Sequence, residues 1–121
     1  MPEKRILLVE DEPTTYDLLA NILRAAGYLV DVAITFAAAM TYLDERSYAL
    51  VLSDWRLPDG DGLVIVDTGA ATGAKTILMS GYLFQMAGDR AERHEMLMKP
   101  LRPSEVIAAV ERSIGKAGVC Q

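Results

Sequence analysis

The stretch YALVLSDWRLPDGDG, residues 48–62, contains the pattern that decides the fold of this protein. Five apolar residues run from Tyr48 to Leu52, a serine follows, and Asp54 then stands directly before Trp55. A short apolar run without alternation is typical of a strand buried on both faces, as in a parallel sheet. A carboxylate at the exit of such a strand costs free energy unless a nearby group needs it. The position of Asp54 therefore indicates that its carboxylate interacts with a nearby group.

Composition and charge narrow the classes of protein that fit the chain. Its 121 residues, 51% of them hydrophobic, predict a single domain, and residues 116–121 are expected to form a short tail. A net charge of −5 argues against nucleic-acid binding. We expect no membrane span and no secretory signal, because no apolar run exceeds five residues. A single cysteine, Cys120, fits the cytoplasm, and the single His94, expected in a solvated loop, leaves too few ligands for zinc.

The rest of the chain predicts strands that alternate with helices. Strands are predicted at 5–10, 28–34, 48–53, 75–80 and 95–99, and helices at 14–28, 36–46, 63–74, 83–93 and 102–115. Thr14 or Thr15 is expected to cap the first helix, and Gly27 to end it. Such alternation implies a doubly wound α/β sheet of five parallel strands, with about five flanking helices and right-handed crossovers.

Polar residues follow four of the five predicted strands. These residues are Glu10 and Asp11, then Asp54, then Ser80 before Gly81, and finally Lys99 before Pro100. Ligands bind at the carboxyl ends of strands in open α/β sheets, so these side chains should share one edge. Three carboxylates suit Mg²⁺, with Mn²⁺ as an alternative, and a lysine beside a divalent metal suits a phosphoryl group. Asp54 would then be a nucleophile that becomes an aspartyl phosphate, although taken alone it also suits a strand-end turn.

These residues resemble the receiver domain of two-component response regulators over residues 4–115. The resemblance lies in Glu10-Asp11 after ILLV, Asp54 in LVLSDWRLPDGDG, Ser80 in ILMSGY, and Lys99-Pro100, all in the order of the family. It implies a flavodoxin-like, chemotaxis-regulator-like sheet with strand order 2-1-3-4-5.

The resemblance also implies a role for each site residue. Asp54 would accept a phosphoryl group from a histidine kinase or a histidine phosphotransfer protein. Asp11 would bind Mg²⁺ directly, Glu10 through water, and Arg56 through its main-chain carbonyl. Lys99 would pair with a phosphoryl oxygen, and Ser80 would hydrogen-bond the phosphoryl group and start the switch. Pro100 would follow a cis peptide bond, and Asp61 and Gly62 would start the third helix.

The sequence departs from the family pattern in the switch region. Met96 stands three residues before Lys99, where the family usually has an aromatic residue, and Tyr82 is the candidate substitute. The segments from Asp54 to Ser80 and from Ser80 to Lys99 are also a few residues shorter than expected, so the third and fourth helices could be truncated or shifted.

The predicted function is a phosphorylation-activated receiver domain that signals by protein–protein contact, with a downstream protein or effector domain as partner and a homodimer left open. It would phosphorylate and dephosphorylate itself without turning over a separate substrate. One alternative is a receiver-fold interaction module that no longer switches, suggested by Met96 and by the two short segments. Another is a Mg²⁺-dependent aspartyl-phosphate phosphohydrolase, but such enzymes need a second acid where this chain has Arg56.

Overall fold

The computed structural model describes residues 4–81 and 94–117. A five-stranded parallel sheet forms its centre, with strand order β2-β1-β3-β6-β7, and a two-stranded antiparallel hairpin, β4-β5, follows β3. The strands are β1 (Arg5–Val9), β2 (Leu29–Ala33), β3 (Leu50–Asp54), β4 (Arg56–Leu57), β5 (Gly60–Asp61), β6 (Lys75–Ser80) and β7 (Glu95–Met98). The helices are α1 (Pro13–Ala25), α2 (Phe36–Glu45), α3 (Gly62–Ala71) and α4 (Pro103–Ile114).

This architecture confirms the predicted fold class and strand order. About five helices were expected, and the described residues contain four. The helix predicted at 83–93 lies outside the described residues. None of the helices within 4–81 and 94–117 has the length and apolar character needed to cross a membrane.

The central strands are apolar throughout because both faces of the sheet are covered. Ile6 and Leu8 of β1 pack in one hydrophobic cluster, whereas Leu7 and Val9 pack in the other. Successive side chains of a strand point to opposite faces, so one continuous apolar run supplies both clusters. All five residues of β3 are buried, which places Asp54 in a largely dry setting.

The start of α1 differs from the prediction. The cap is Glu12, whose carboxylate accepts a hydrogen bond from the Thr15 amide at 2.8 Å, so the expectation that Thr14 or Thr15 caps this helix is wrong. Pro13 occupies the first helical position, where its missing N–H costs nothing, and this moves the helix start toward the N-terminus. Gly27, with φ of 102°, follows the last turn, as predicted for the residue that ends α1.

His94 is buried, which contradicts the expectation of a solvated loop residue. Its residue exposure is 7%, and it lies directly before β7. The ring Nδ1 is 2.5 Å from the Thr76 hydroxyl of β6, and Nε2 is 2.7 Å from a carboxylate oxygen of Asp67 on α3. Both ring nitrogens have partners, so this histidine can be buried without an unsatisfied polar group.

Candidate functional site

The polar side chains predicted at the strand ends lie at one edge of the sheet. Glu10 follows β1, Asp54 ends β3, Ser80 ends β6 and Lys99 follows β7. Glu10, Asp54 and Ser80 are buried, with exposures of 1%, 6% and 5%. The strands are parallel and adjacent, so their carboxyl ends bring together residues separated by up to 89 positions.

Three carboxylates form a cluster at this edge. Glu10, Asp11 and Asp54 each present an oxygen within 4.8 Å of the other two, with Asp11 exposed and the others buried. Among the residues that the structure describes, no other group of three or more acidic, histidine or cysteine side chains has the spacing of a metal site. Hard oxygen donors at such spacing, one of them open to solvent, fit Mg²⁺, which keeps several waters when bound to carboxylates.

Lys99 forms the cationic side of the cluster. Its Nζ lies 2.6 Å from Asp54 Oδ1 and 3.0 Å from Glu10 Oε1. The second oxygen of Glu10 accepts a hydrogen bond from the Glu12 amide at 3.1 Å, which fixes the orientation of this buried carboxylate. The ammonium therefore bridges two strands and partly offsets the repulsion between two buried acids.

The ionisation of Asp54 is shifted by these surroundings. Burial, helped by the hydrogen bond with Glu10, raises the pKa of Asp54 to about 7, although the Lys99 ammonium acts in the opposite direction. Burial lowers the pKa of Lys99, but its hydrogen bonds to Asp54 and Glu10 outweigh burial and raise it above the ordinary value. Additional positive charge among the carboxylates would favour the ionised form of Asp54.

The backbone around Asp54 is held by short contacts that require glycine at position 62. The Gly62 amide donates to the Trp55 carbonyl at 2.6 Å, and the Trp55 amide donates to the Met79 carbonyl at 2.9 Å. A Cβ on Gly62 would lie 1.8 Å from the Asp54 carbonyl oxygen. The loop after β3 thus folds back directly over the strand end that carries Asp54.

A cavity of about 350 Å³ opens beside Asp54. Its walls combine the acid, the lysine and the serine with apolar surface, and the lining residues are Asp54, Trp55, Arg56, Met79, Ser80, Gly81 and Lys99. The Lys99 ammonium in this lining would favour an anionic group attached to Asp54.

Three further predictions concern Pro100, Met96 and Tyr82. The Lys99–Pro100 peptide bond is cis. Met96 is partly buried against the hydrophobic cluster that contains Leu78, and no aromatic ring takes its place on β7. Tyr82, the other switch candidate, lies outside the described residues.

Two contacts in the fold carry no signal in the sequence. The Asp59 carboxylate accepts hydrogen bonds from the Phe36 amide at 2.7 Å and the Ala37 amide at 3.1 Å, at the start of α2. The buried His94 joins α3 to β6. Each contact links residues 18 or more positions apart, so local sequence patterns do not reveal it.

A sequence model of the response regulator receiver domain matches residues 6–111. The chain belongs to this family. Among curated relatives, the transcriptional regulatory protein CutR of Streptomyces coelicolor is 36% identical over 121 residues, a match that covers 93% of this receiver domain and 54% of CutR. The chain therefore spans about half the length of that relative.

Solved receiver domains share the fold closely. The response regulator TrrA of Thermotoga maritima, solved in complex with Mg²⁺ and BeF, has a TM-score of 0.81 at 28% identity, covering 90% of this chain and 97% of TrrA. The receiver domain of the sensor histidine kinase PA1611 of Pseudomonas aeruginosa, solved with a magnesium ion in its active site cleft, has a TM-score of 0.79 at 27% identity, covering 95% and 100% of the two chains.

Proposed function

We propose that this receiver domain, with its core at about 4–115, accepts a phosphoryl group on Asp54 from a histidine kinase or a histidine phosphotransfer protein. The observation that carries the proposal is the cluster at the sheet edge, where Lys99 Nζ contacts Asp54 Oδ1 at 2.6 Å beside Glu10 and Asp11. Family membership supports it, as do the Mg²⁺-containing structures of TrrA and PA1611. The cytoplasm, where such kinases present their phosphohistidine, is the proposed location.

The transfer needs an ionised Asp54. One of its oxygens attacks phosphorus, the P–N bond of the phosphohistidine breaks, and the bonding electron pair leaves on the imidazole nitrogen. We propose that Lys99 pairs with a phosphoryl oxygen, because its ammonium contacts the Asp54 carboxylate. The phosphoryl group is then removed by hydrolysis, in which water attacks phosphorus, Asp54 leaves as a carboxylate and inorganic phosphate is released, so no separate substrate is turned over.

The divalent ion would be held by Glu10, Asp11, Asp54 and the main-chain carbonyl of Arg56, with Mn²⁺ as an alternative to Mg²⁺. When bound, it supplies positive charge that offsets the repulsion between the carboxylates and the phosphoryl oxygens. Burial of Glu10 and Asp54 keeps their oxygens fixed for this purpose, while the exposed Asp11 leaves the site open to solvent.

The signal would pass through protein–protein contact. We assign the Ser80 hydroxyl the hydrogen bond to the phosphoryl group, because Ser80 ends β6 and lines the cavity beside Asp54. Met96 and Tyr82 are the candidate residues that change position with it. The receiving partner is a downstream protein, an effector domain or a second copy of the chain.

The proposal is tested by titrating Trp55 fluorescence with Mg²⁺ and then with beryllofluoride. Trp55 lines the cavity, so occupation of Asp54 should change its emission. The wild type should respond to both additions, and Asp54→Ala should lose the beryllofluoride response. Asp44→Ala, which removes an exposed carboxylate of α2, is the matched control and should behave as wild type. A beryllofluoride response that survives in Asp54→Ala would contradict the proposal.

Because Met96 stands where the family usually has an aromatic residue, a second candidate function is an interaction module that no longer switches. Partner binding should then be equal for wild type, Asp54→Ala and beryllofluoride-treated protein, whereas the proposed switch requires the treated wild type to differ. Steady turnover of a small phosphomonoester would instead indicate a phosphohydrolase.

A further inference from the structure

Asp59, between β4 and β5 in the segment after Asp54, joins this segment to the start of α2. Its carboxylate takes two successive amides of α2, Phe36 N at 2.7 Å and Ala37 N at 3.1 Å. The next amide, Ala38 N, is capped by the Thr35 hydroxyl at 3.0 Å. Two of the first three amides of α2 are therefore satisfied from the β4-β5 hairpin and one by the helix's own cap. The two amides lower the pKa of Asp59, Phe36 N having the larger effect, so Asp59 is anionic where the helix dipole favours negative charge.

A second contact brings the hairpin close to α2 at Gly60. A Cβ on Gly60 would fall 2.4 Å from the ring of Phe36, so only a residue without a side chain allows this approach. Phe36 is itself packed against the hydrophobic cluster that contains Leu57. The tip is thus held by a two-pronged hydrogen bond at residue 59 and by ring contact at residue 60.

The hairpin between tip and base is short. It has two residue pairs, Leu57 with Gly60 and Arg56 with Asp61. A two-stranded hairpin is marginally stable by itself in water, so its position depends on what anchors it. Its base is anchored by the Gly62–Trp55 hydrogen bond and by the Asp61 carboxylate, which caps α3 at Leu63 N. Its tip is held by the hydrogen bonds between Asp59 and the first amides of α2.

We infer that Asp59 is a positioning residue for the metal site. By fixing the hairpin on α2, it fixes the main chain of Arg56, whose carbonyl is a proposed ligand for Mg²⁺, relative to Glu10, Asp11 and Asp54. This inference rests on the proposed function, because it concerns the same site. Asp59 acts through the backbone and touches neither the metal nor the phosphoryl group.

The test is the Mg²⁺ affinity measured by isothermal titration calorimetry on folded protein. Asp59→Ala should weaken Mg²⁺ binding by about ten-fold, the low end of what loss of a residue supporting a metal ligand costs. Asp59→Asn retains one acceptor oxygen at the same place and should recover part of that affinity. Circular dichroism at the same temperature shows whether each variant is folded, and Asp59→Asn provides the measurement if Asp59→Ala is not.

Thr35→Ala is the matched control. It removes the other cap of α2 and leaves the hairpin contact intact, so it should lower stability without changing Mg²⁺ affinity. If Thr35→Ala weakens Mg²⁺ binding as much as Asp59→Ala does, the effect belongs to the helix and the inference is wrong. Unchanged affinity in folded Asp59→Ala overturns it as well. A wild type that binds no Mg²⁺ would refute the proposed function instead, so the two failures are distinguishable.

Discussion

Replacing Gly62 by alanine should be costly, because the structure leaves no room for a methyl group at this position. The added Cβ would lie 1.8 Å from the Asp54 carbonyl oxygen and 3.0 Å from the Ser53 hydroxyl oxygen. The carbonyl would have to retreat by roughly 1.5 Å to reach an ordinary van der Waals separation. The obstacle is backbone of a buried strand, so no side-chain rotation relieves it.

The magnitude follows from two opposing effects. Overpacking a well-packed site costs about 1–3 kcal/mol, and a backbone obstacle favours the upper end of that range. Gly62 is the first residue of α3, where alanine gains up to about 1 kcal/mol of helix propensity over glycine. The free energy of unfolding should therefore fall by about 2 kcal/mol in Gly62→Ala.

The assay is urea unfolding followed by circular dichroism, with Gly81→Ala as the control. Among the residues that the structure describes, the nearest atom to a Cβ at Gly81 is the Lys99 Cβ at 3.9 Å, so that variant should stay within about 0.5 kcal/mol of wild type. A Gly62→Ala protein as stable as Gly81→Ala would refute the argument that the loop folds directly onto the Asp54 backbone.

Three further outcomes are expected. His94→Ala should lower the free energy of unfolding by about 2 kcal/mol, measured in urea, because two partly buried hydrogen bonds are lost and their partners remain. No loss of stability would contradict the buried position of His94. The pKa of Asp59 is lower in the folded protein, so its stabilising effect is fully present above the ordinary carboxyl pKa and is lost as pH falls through the folded value. Asp59→Asn should accordingly flatten the acid side of the stability–pH curve, and an unchanged curve would count against the cap. Lys99→Ala leaves Glu10 and Asp54 without their shared cation, and bound Mg²⁺ would partly replace that positive charge. The loss of stability relative to wild type, measured by thermal unfolding, should therefore be larger in a chelator than in saturating Mg²⁺. Equal losses would argue against a metal at this edge.

Periodicity and strand-end chemistry were sufficient to predict the sheet and the residues at its edge. The apolar run before Asp54 is buried throughout, as the absence of alternation indicated. Parallel strands align their carboxyl ends, so the positions of Glu10 and Lys99 after their strands were enough to predict that they meet.

The features that could not be predicted depend on long-range contacts or on competition between nearby caps. Nothing local to His94 indicates that Thr76 and Asp67 will surround it, so a solvated loop was the natural expectation and it is wrong. At α1, Glu12, Thr14 and Thr15 all have side-chain oxygens that can cap a helix, and Pro13 at the first helical position favours Glu12. The Asp59 contact with α2 joins residues 22 and 23 positions apart, so no local pattern indicates it.

Whether Asp54 accepts the phosphoryl group can be measured on the intact protein. The wild type and Asp54→Asn are incubated with a small-molecule phosphoryl donor, with Mg²⁺ or with a chelator, and analysed by intact-protein mass spectrometry. We expect one added phosphoryl group on the wild type in the presence of Mg²⁺, and none on Asp54→Asn or in the chelator. Phosphorylation of Asp54→Asn to the wild-type extent, or none on the wild type under any of these conditions, would contradict it.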